Sequence, residues 1–126
     1  MKRSTLLLFI SLGFVTLALH KADAGSAVAI GPNNQLATAY GGPVEREKRR
    51  ALNEARRKYG ADVRIIAASD RTGYGAIAVA RHPNGYGWII GVSLGNRSAT
   101  EADTLAIQHC LRAGGVNPQV KWGFSG

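Results

Sequence analysis

The chain has 126 residues, a formal charge of +8 and one cysteine. That length suits one small domain and excludes two independent cores. A lone Cys110 excludes an internal disulfide, so stability has to come from packing. The excess of basic residues favours anionic partners.

The first segment reads as an export signal. Lys2 and Arg3 form a positive n-region, and Leu6 to Leu19 is an apolar run interrupted only by Ser11, Gly13 and Thr16. Ala22-Asp23-Ala24 has the small-x-small form of a cleavage site, so cleavage is expected after Ala24. A spanning helix needs roughly 20 apolar residues, and His20-Lys21 ends this run early. The expected organisation is a signal peptide over residues 1–24 and one α+β domain over 25–126, with a net charge of +6 after cleavage.

Ala27-Val28-Ala29-Ile30 returns as Ala76-Ile77-Ala78-Val79, which predicts two related units over about 25–70 and 74–126. Ser26 to Ile30 and Gln35 to Tyr40 read as strands around the turn Gly31-Pro32-Asn33-Asn34. A helix follows Gly41-Gly42, with Pro43 at its first position and Gly60 as its stop. Glu45 and Glu47 fall in its first turn and Arg56, Arg57 and Lys58 in its last, an order that suits the helix dipole. Val44, Ala51, Leu52, Ala55 and Tyr59 share its apolar face. Val63 to Ala68 closes the first unit as a strand.

The second unit repeats the series. Gly75 to Ala80 is a strand, His82-Pro83-Asn84-Gly85 a turn, and Tyr86 to Leu94 a second strand. Ser98-Ala99-Thr100-Glu101 is a capping box for a helix that runs to Ala113. Its wide apolar arc (Ala102, Leu105, Ala106, Ile107, Cys110, Leu111 and Ala113) predicts deeper burial than the first helix. Val120 to Phe124 is the last strand. The second unit is about five residues longer, a difference assigned to its hairpin. The predicted fold is α+β: a duplicated ββαβ unit, six strands and two helices with pseudo-two-fold symmetry.

In both units one strand face carries large residues and the other Ala and Gly. The large face is expected on the core and the small face under a close-packed element; exposure of the small face to solvent is the alternative.

The strand Tyr74-Gly75-Ala76-Ile77-Ala78-Val79 resembles the "YGAIAY"-like strand of the domain-of-unknown-function family numbered 4189, small exported bacterial proteins. The resemblance covers nearly all of Ser26 to Phe124. It implies export, a duplicated fold and an unassigned role. Members often carry cysteines after their helices. Here only Cys110 remains, with Arg56 in the comparable place of the first unit. No disulfide framework and no catalytic residue carries over.

Among the residues themselves, Arg46, Arg49, Arg50, Arg56 and Arg57 form a stripe on the first helix, opposite its apolar face. Glu45–Arg49 and Glu54–Lys58 are spaced to relieve its self-repulsion. The stripe is a candidate contact for an anionic protein, a lipid headgroup or a cell-wall polymer; a merely solvated face is the plainer reading. Nucleic acid is disfavoured, because few aromatics interleave with the arginines. His82 is expected at the surface and His109 in the core, and neither has the clustered neighbours of a metal site. No cofactor is implied. Tyr40, Tyr86, Trp88 and Trp122 are candidate docking aromatics; Trp88 is expected in the core and Tyr86 exposed. Asn96-Arg97-Ser98 matches a glycosylation sequon, but Ser98 already has a capping role.

The leading reading is a small exported, non-catalytic binding protein, an effector or inhibitor in kind, with the basic helix as its contact face. The alternatives are an exported enzyme using His82 or Asp70 in a cleft, and a structural envelope component. Oligomeric state and partner stay open.

Overall fold

The computed structural model describes residues 24–125, and the export-signal reading of residues 1–23 lies outside them. The fold is α+β. Its strands are β1 (Gly25–Ile30), β2 (Leu36–Gly42), β3 (Arg64–Ser69), β4 (Tyr74–Arg81), β5 (Trp88–Asn96) and β6 (Val116–Ser125). The helices are α1 (Val44–Tyr59) and α2 (Ala99–Arg112). Two three-stranded antiparallel sheets result, ordered β2-β1-β3 and β5-β4-β6. Each half thus has the element order ββαβ and puts its first strand in the middle of its sheet.

Register locates the difference in length. Ala27 pairs with Ala39, and Ala76 with Ser93. The first residues of these pairs are 49 positions apart and the second 54, so the five extra residues lie in the β4–β5 hairpin. The shorter β1–β2 connection is a single 3₁₀ turn, Pro32–Asn34, with Asn33 and Asn34 at φ of 59° and 60°.

The small strand face is the one that meets the helices. Ala27, Ala29, Ala37 and Ala39 pack under Ala51 and Ala55 of α1. Ala76, Ala78 and Ala80 pack under Ala102, Ala106 and Cys110 of α2. Side chains this short let helix and sheet approach closely, so solvent exposure of this face is ruled out. Strand side chains alternate between faces, so Val28 and Ile77 point away from the helices, yet both are fully buried. The strands of one sheet contact those of the other, β1 and β3 against β5, and Tyr40 stacks on Phe124 with ring centroids 5.2 Å apart. The larger faces therefore meet each other, as expected of the core side.

Several local expectations shift. Pro43 is the N-cap residue of α1, one place before the first helical position. The Ser98 cap of α2 is as read, with Ser98 Oγ accepting from Glu101 N at 3.0 Å, but the Glu101 carboxylate accepts from Arg97 N, one residue before the N-cap, at 2.8 Å. α2 is no more deeply sunk than α1, because each helix buries one line of three residues spaced by four: Glu47, Ala51, Ala55 and Ala102, Ala106, Cys110. Leu111 lies off that line and is exposed. The position equivalent to Cys110 in α1 is consequently Ala55 rather than Arg56.

His109 is exposed rather than packed in the core. It stands about 100° from Cys110 around the helix, and its Nδ1 lies 2.7 Å from the Val92 carbonyl on the edge strand β5. A carbonyl can only accept, so His109 donates from Nδ1.

Cys110 is buried, as expected. Its thiol donates to the Ala78 carbonyl at 3.4 Å, and burial pushes its pKa upward. A protonated, enclosed thiol is a poor nucleophile. In the native protein at pH 7, Cys110 is expected to react with Ellman's reagent far more slowly than after unfolding in guanidinium. Equal rates would contradict its burial. Because the folded pKa is raised, the associated stability is present below the unfolded thiol pKa and is lost as pH rises through the folded value.

Candidate functional site: a basic helix and a tryptophan groove

α1 carries seven cations and three carboxylates. The structure distributes its five arginines unequally. Glu47 shares the buried line with Ala51 and Ala55, so its carboxylate faces inward against Gly42 and is fully inaccessible. Arg46 Nε donates to Glu47 Oε2 at 3.3 Å and Arg50 Nη1 to Oε1 at 2.5 Å. Those two arginine side chains are 55% exposed. They are lids on a buried charge as well as surface cations.

Farther along, Arg57 holds Glu54 with bonds of 2.8 and 3.2 Å, and Lys58 joins at 3.0 Å, so the expected Glu54–Lys58 pair is present. Both cations hold the Glu54 carboxyl below its usual pKa. Glu45 pairs with Lys48 at 3.1 Å instead of with Arg49. Arg56 reaches only the Asn53 amide oxygen, at 3.5 Å. Arg49 has no ion pair among the described residues. The stripe is therefore an ordered ladder of charges in which, among the described residues, Arg49 and Arg56 are the arginines uncommitted to a carboxylate.

A second feature lies on the large-residue side of the β5-β4-β6 sheet. Where the cover from the first sheet ends, a groove of about 680 Å³ opens, within the range of small-molecule sites. Val79 and Ile90 contribute its apolar surface, and the turn residues Asn33 and Asn34 with Leu36 form a wall from the first half. β6 supplies Asn117, Gln119, Lys121 and Trp122.

Trp88, expected in the core, stands in this groove and is 54% exposed, as is Trp122. The period-two alternation of Trp88 with Ile90 and Val92 is real. However, Trp88 is the first residue of β5 and pairs with Arg81, at the end of the sheet beyond the first sheet's cover. The Arg81 guanidinium lies over the Trp88 ring, 5.5 Å from its centroid, a cation–π contact that steadies both. All three non-glycine residues with positive φ among the described residues, Asn33, Asn34 and Asn117, line this groove. Among the described residues no carboxylate lines it.

The remaining candidates are scattered. His82 is exposed in the β4–β5 hairpin, where its Nδ1 accepts from Asn84 N at 3.3 Å. Asp70 is exposed in the connection between the halves, and neither residue lines the groove. Tyr86 is exposed, as expected. Among the described residues there is no group of three or more His, Cys, Asp or Glu placed to hold a metal, and no helix is long and apolar enough to cross a membrane.

The groove was not legible from the sequence. Its aromatic and cationic residues come from separate strands, and only the adjacent Lys121-Trp122 hints at the interleaving that the sheet completes with Arg81 and Trp88. Comparison with known proteins adds nothing to this geometry: no family model, curated protein or solved structure matches the chain.

Proposed function

We propose that this is a small exported, non-catalytic binding protein, an effector or inhibitor in kind, that meets an anionic partner through the outward face of α1. The observation that carries the reading is the charge ladder. Seven cations meet three carboxylates, one of them buried, and Arg49 and Arg56 project without a carboxylate partner. Such a face attracts anions over a distance set by ionic strength. The signal-like start of the chain and the resemblance to the exported family 4189 support export.

The test has to spare Arg46 and Arg50, whose loss would disturb Glu47. An Arg49→Glu/Arg56→Glu variant is expected to fold like the parent and to lose the partner captured by the parent from an envelope or culture-supernatant fraction. Capture by the parent should also weaken as salt is raised. Undiminished capture by the double variant would sink this reading.

A further inference from the structure

We infer that the tryptophan groove is a binding site for an acidic oligosaccharide. The inference is independent of the α1 reading and concerns a different face.

The occupant follows from four features. Trp88 and Trp122 offer two half-exposed indole rings on one side of a sheet, Trp88 with one face under the Arg81 guanidinium. Indole is a large apolar plane with a polar edge, suited to the flat C–H face of a sugar ring. The two residues lie on strands separated by β4, opposite Arg81 and Ile77 respectively. Strand spacing and rise put their backbones on the order of 16 Å apart, so the groove spans several rings and not one.

Among the described residues, Arg81 and Lys121 are the only charged ones lining the groove and both are positive, so the ligand is anionic. The other polar lining groups are four amides, those of Asn33, Asn34, Asn117 and Gln119. Each amide both donates and accepts, which matches hydroxyl and acetamido groups. A nucleic-acid channel tracks a phosphate on every nucleotide with a dense row of cations. Here amides outnumber cations two to one. That ratio selects a polyhydroxylated chain with sparse charge.

The left-handed asparagines belong to the same argument. Asn tolerates positive φ better than other non-glycine residues, so it can hold these turns and present an amide to the groove, where glycine would present nothing. Backbone held in sparsely populated regions tends to cluster at binding sites.

Both tryptophans of the chain line the groove, so intrinsic fluorescence of the whole protein reports on it directly. The probes are a hyaluronan hexasaccharide, with one carboxylate per disaccharide, tetragalacturonate, neutral chitohexaose and an octamer of thymidylate. At least one acidic glycan is expected to shift the emission saturably, with chitohexaose at least tenfold weaker and the thymidylate octamer no tighter. Trp122→Ala and Lys121→Gln, both at exposed positions, should each weaken binding at least tenfold, with an unchanged circular-dichroism spectrum. Arg49→Glu/Arg56→Glu should leave groove binding intact, so the two proposals fail separately. The inference is overturned if neither acidic glycan moves the emission, if chitohexaose binds as well, if the octamer binds more tightly, or if the folded Trp122→Ala and Lys121→Gln variants keep parental affinity.

Discussion

Replacing Arg46 and Arg50 together by alanine is expected to destabilise the protein by about 3–5 kcal/mol, the usual cost of leaving a buried charge without its partner. For a domain of this size that corresponds to a fall in melting temperature of more than 10 °C. The reason lies in where the three groups sit. Glu47 is fully inaccessible, whereas its two partners are more than half exposed. Removing the arginines strips both salt-bridge partners seen among the described residues from a carboxylate that faces inward against Gly42, where water reaches it only through the gap they leave. Removing the carboxylate instead frees two guanidinium groups that can turn to solvent. Glu47→Ala alone is therefore expected to cost less than the double arginine variant. The corresponding buried line of α2 begins with Ala102, a methyl group packed against its own sheet. Adding Glu47→Ala to the Arg46→Ala/Arg50→Ala variant should accordingly restore stability. Thermal or urea unfolding of the four proteins checks the ordering. If the triple variant is no more stable than the double, the loss does not come from an uncovered charge.

That ordering also divides the basic stripe by role. Helical periodicity places all five arginines on the outer side of α1, but periodicity resolves position only to about the width of a side chain. Glu47 shows the limit. In sequence it belongs to a favourable first turn, because an acid near a helix N-terminus needs no further explanation. Its spacing of four and eight from Ala51 and Ala55 puts it on the buried line all the same. Arg46 and Arg50 are drawn toward it, while Arg49 is left outside.

Other parts of the fold were readable because two independent signals coincided at each. The capping box of α2 marks the start of a helix whose buried residues recur every four positions. The turn Pro32-Asn33-Asn34 separates two alternating strands. The Ala/Gly faces are plain in the sequence, but alternation cannot say which element covers a face, and the covering helices come from farther along the chain. The exposure of Trp88 escapes alternation for a related reason. Alternation establishes which side of the sheet it occupies, whereas exposure depends on where the opposite sheet stops. His109 stays at the surface because an edge strand offers a carbonyl to a residue on the flank of a helix, and single-chain patterns do not reveal which strand forms the edge.

Among the glycines, Gly91 carries the closest approach of helix backbone to a strand, and Gly91→Ala is expected to be strongly destabilising. Gly91 pairs with Ala78 beneath α2. A Cβ there would fall against the Ala106 carbonyl oxygen and 3.0 Å from both the Cys110 amide nitrogen and its sulfur. The main obstacle is helix backbone, so no rotamer change relieves it and α2 itself has to lift. Overpacking of this kind costs about 1–3 kcal/mol and sometimes more, and the upper end is expected here. Trimming the sulfur with Cys110→Ala removes only one of the three contacts, so the double variant should recover less than half of the loss. Gly123→Ala provides the control in the same sheet. Its Cβ would meet only the Gly75 carbonyl, at an ordinary 3.7 Å, and a change within about 0.5 kcal/mol is expected. Urea denaturation of the three variants separates the outcomes. If Gly91→Ala is as mild as Gly123→Ala, α2 does not rest on the strand backbone, and the close approach allowed by the small-residue face is not what holds this half together.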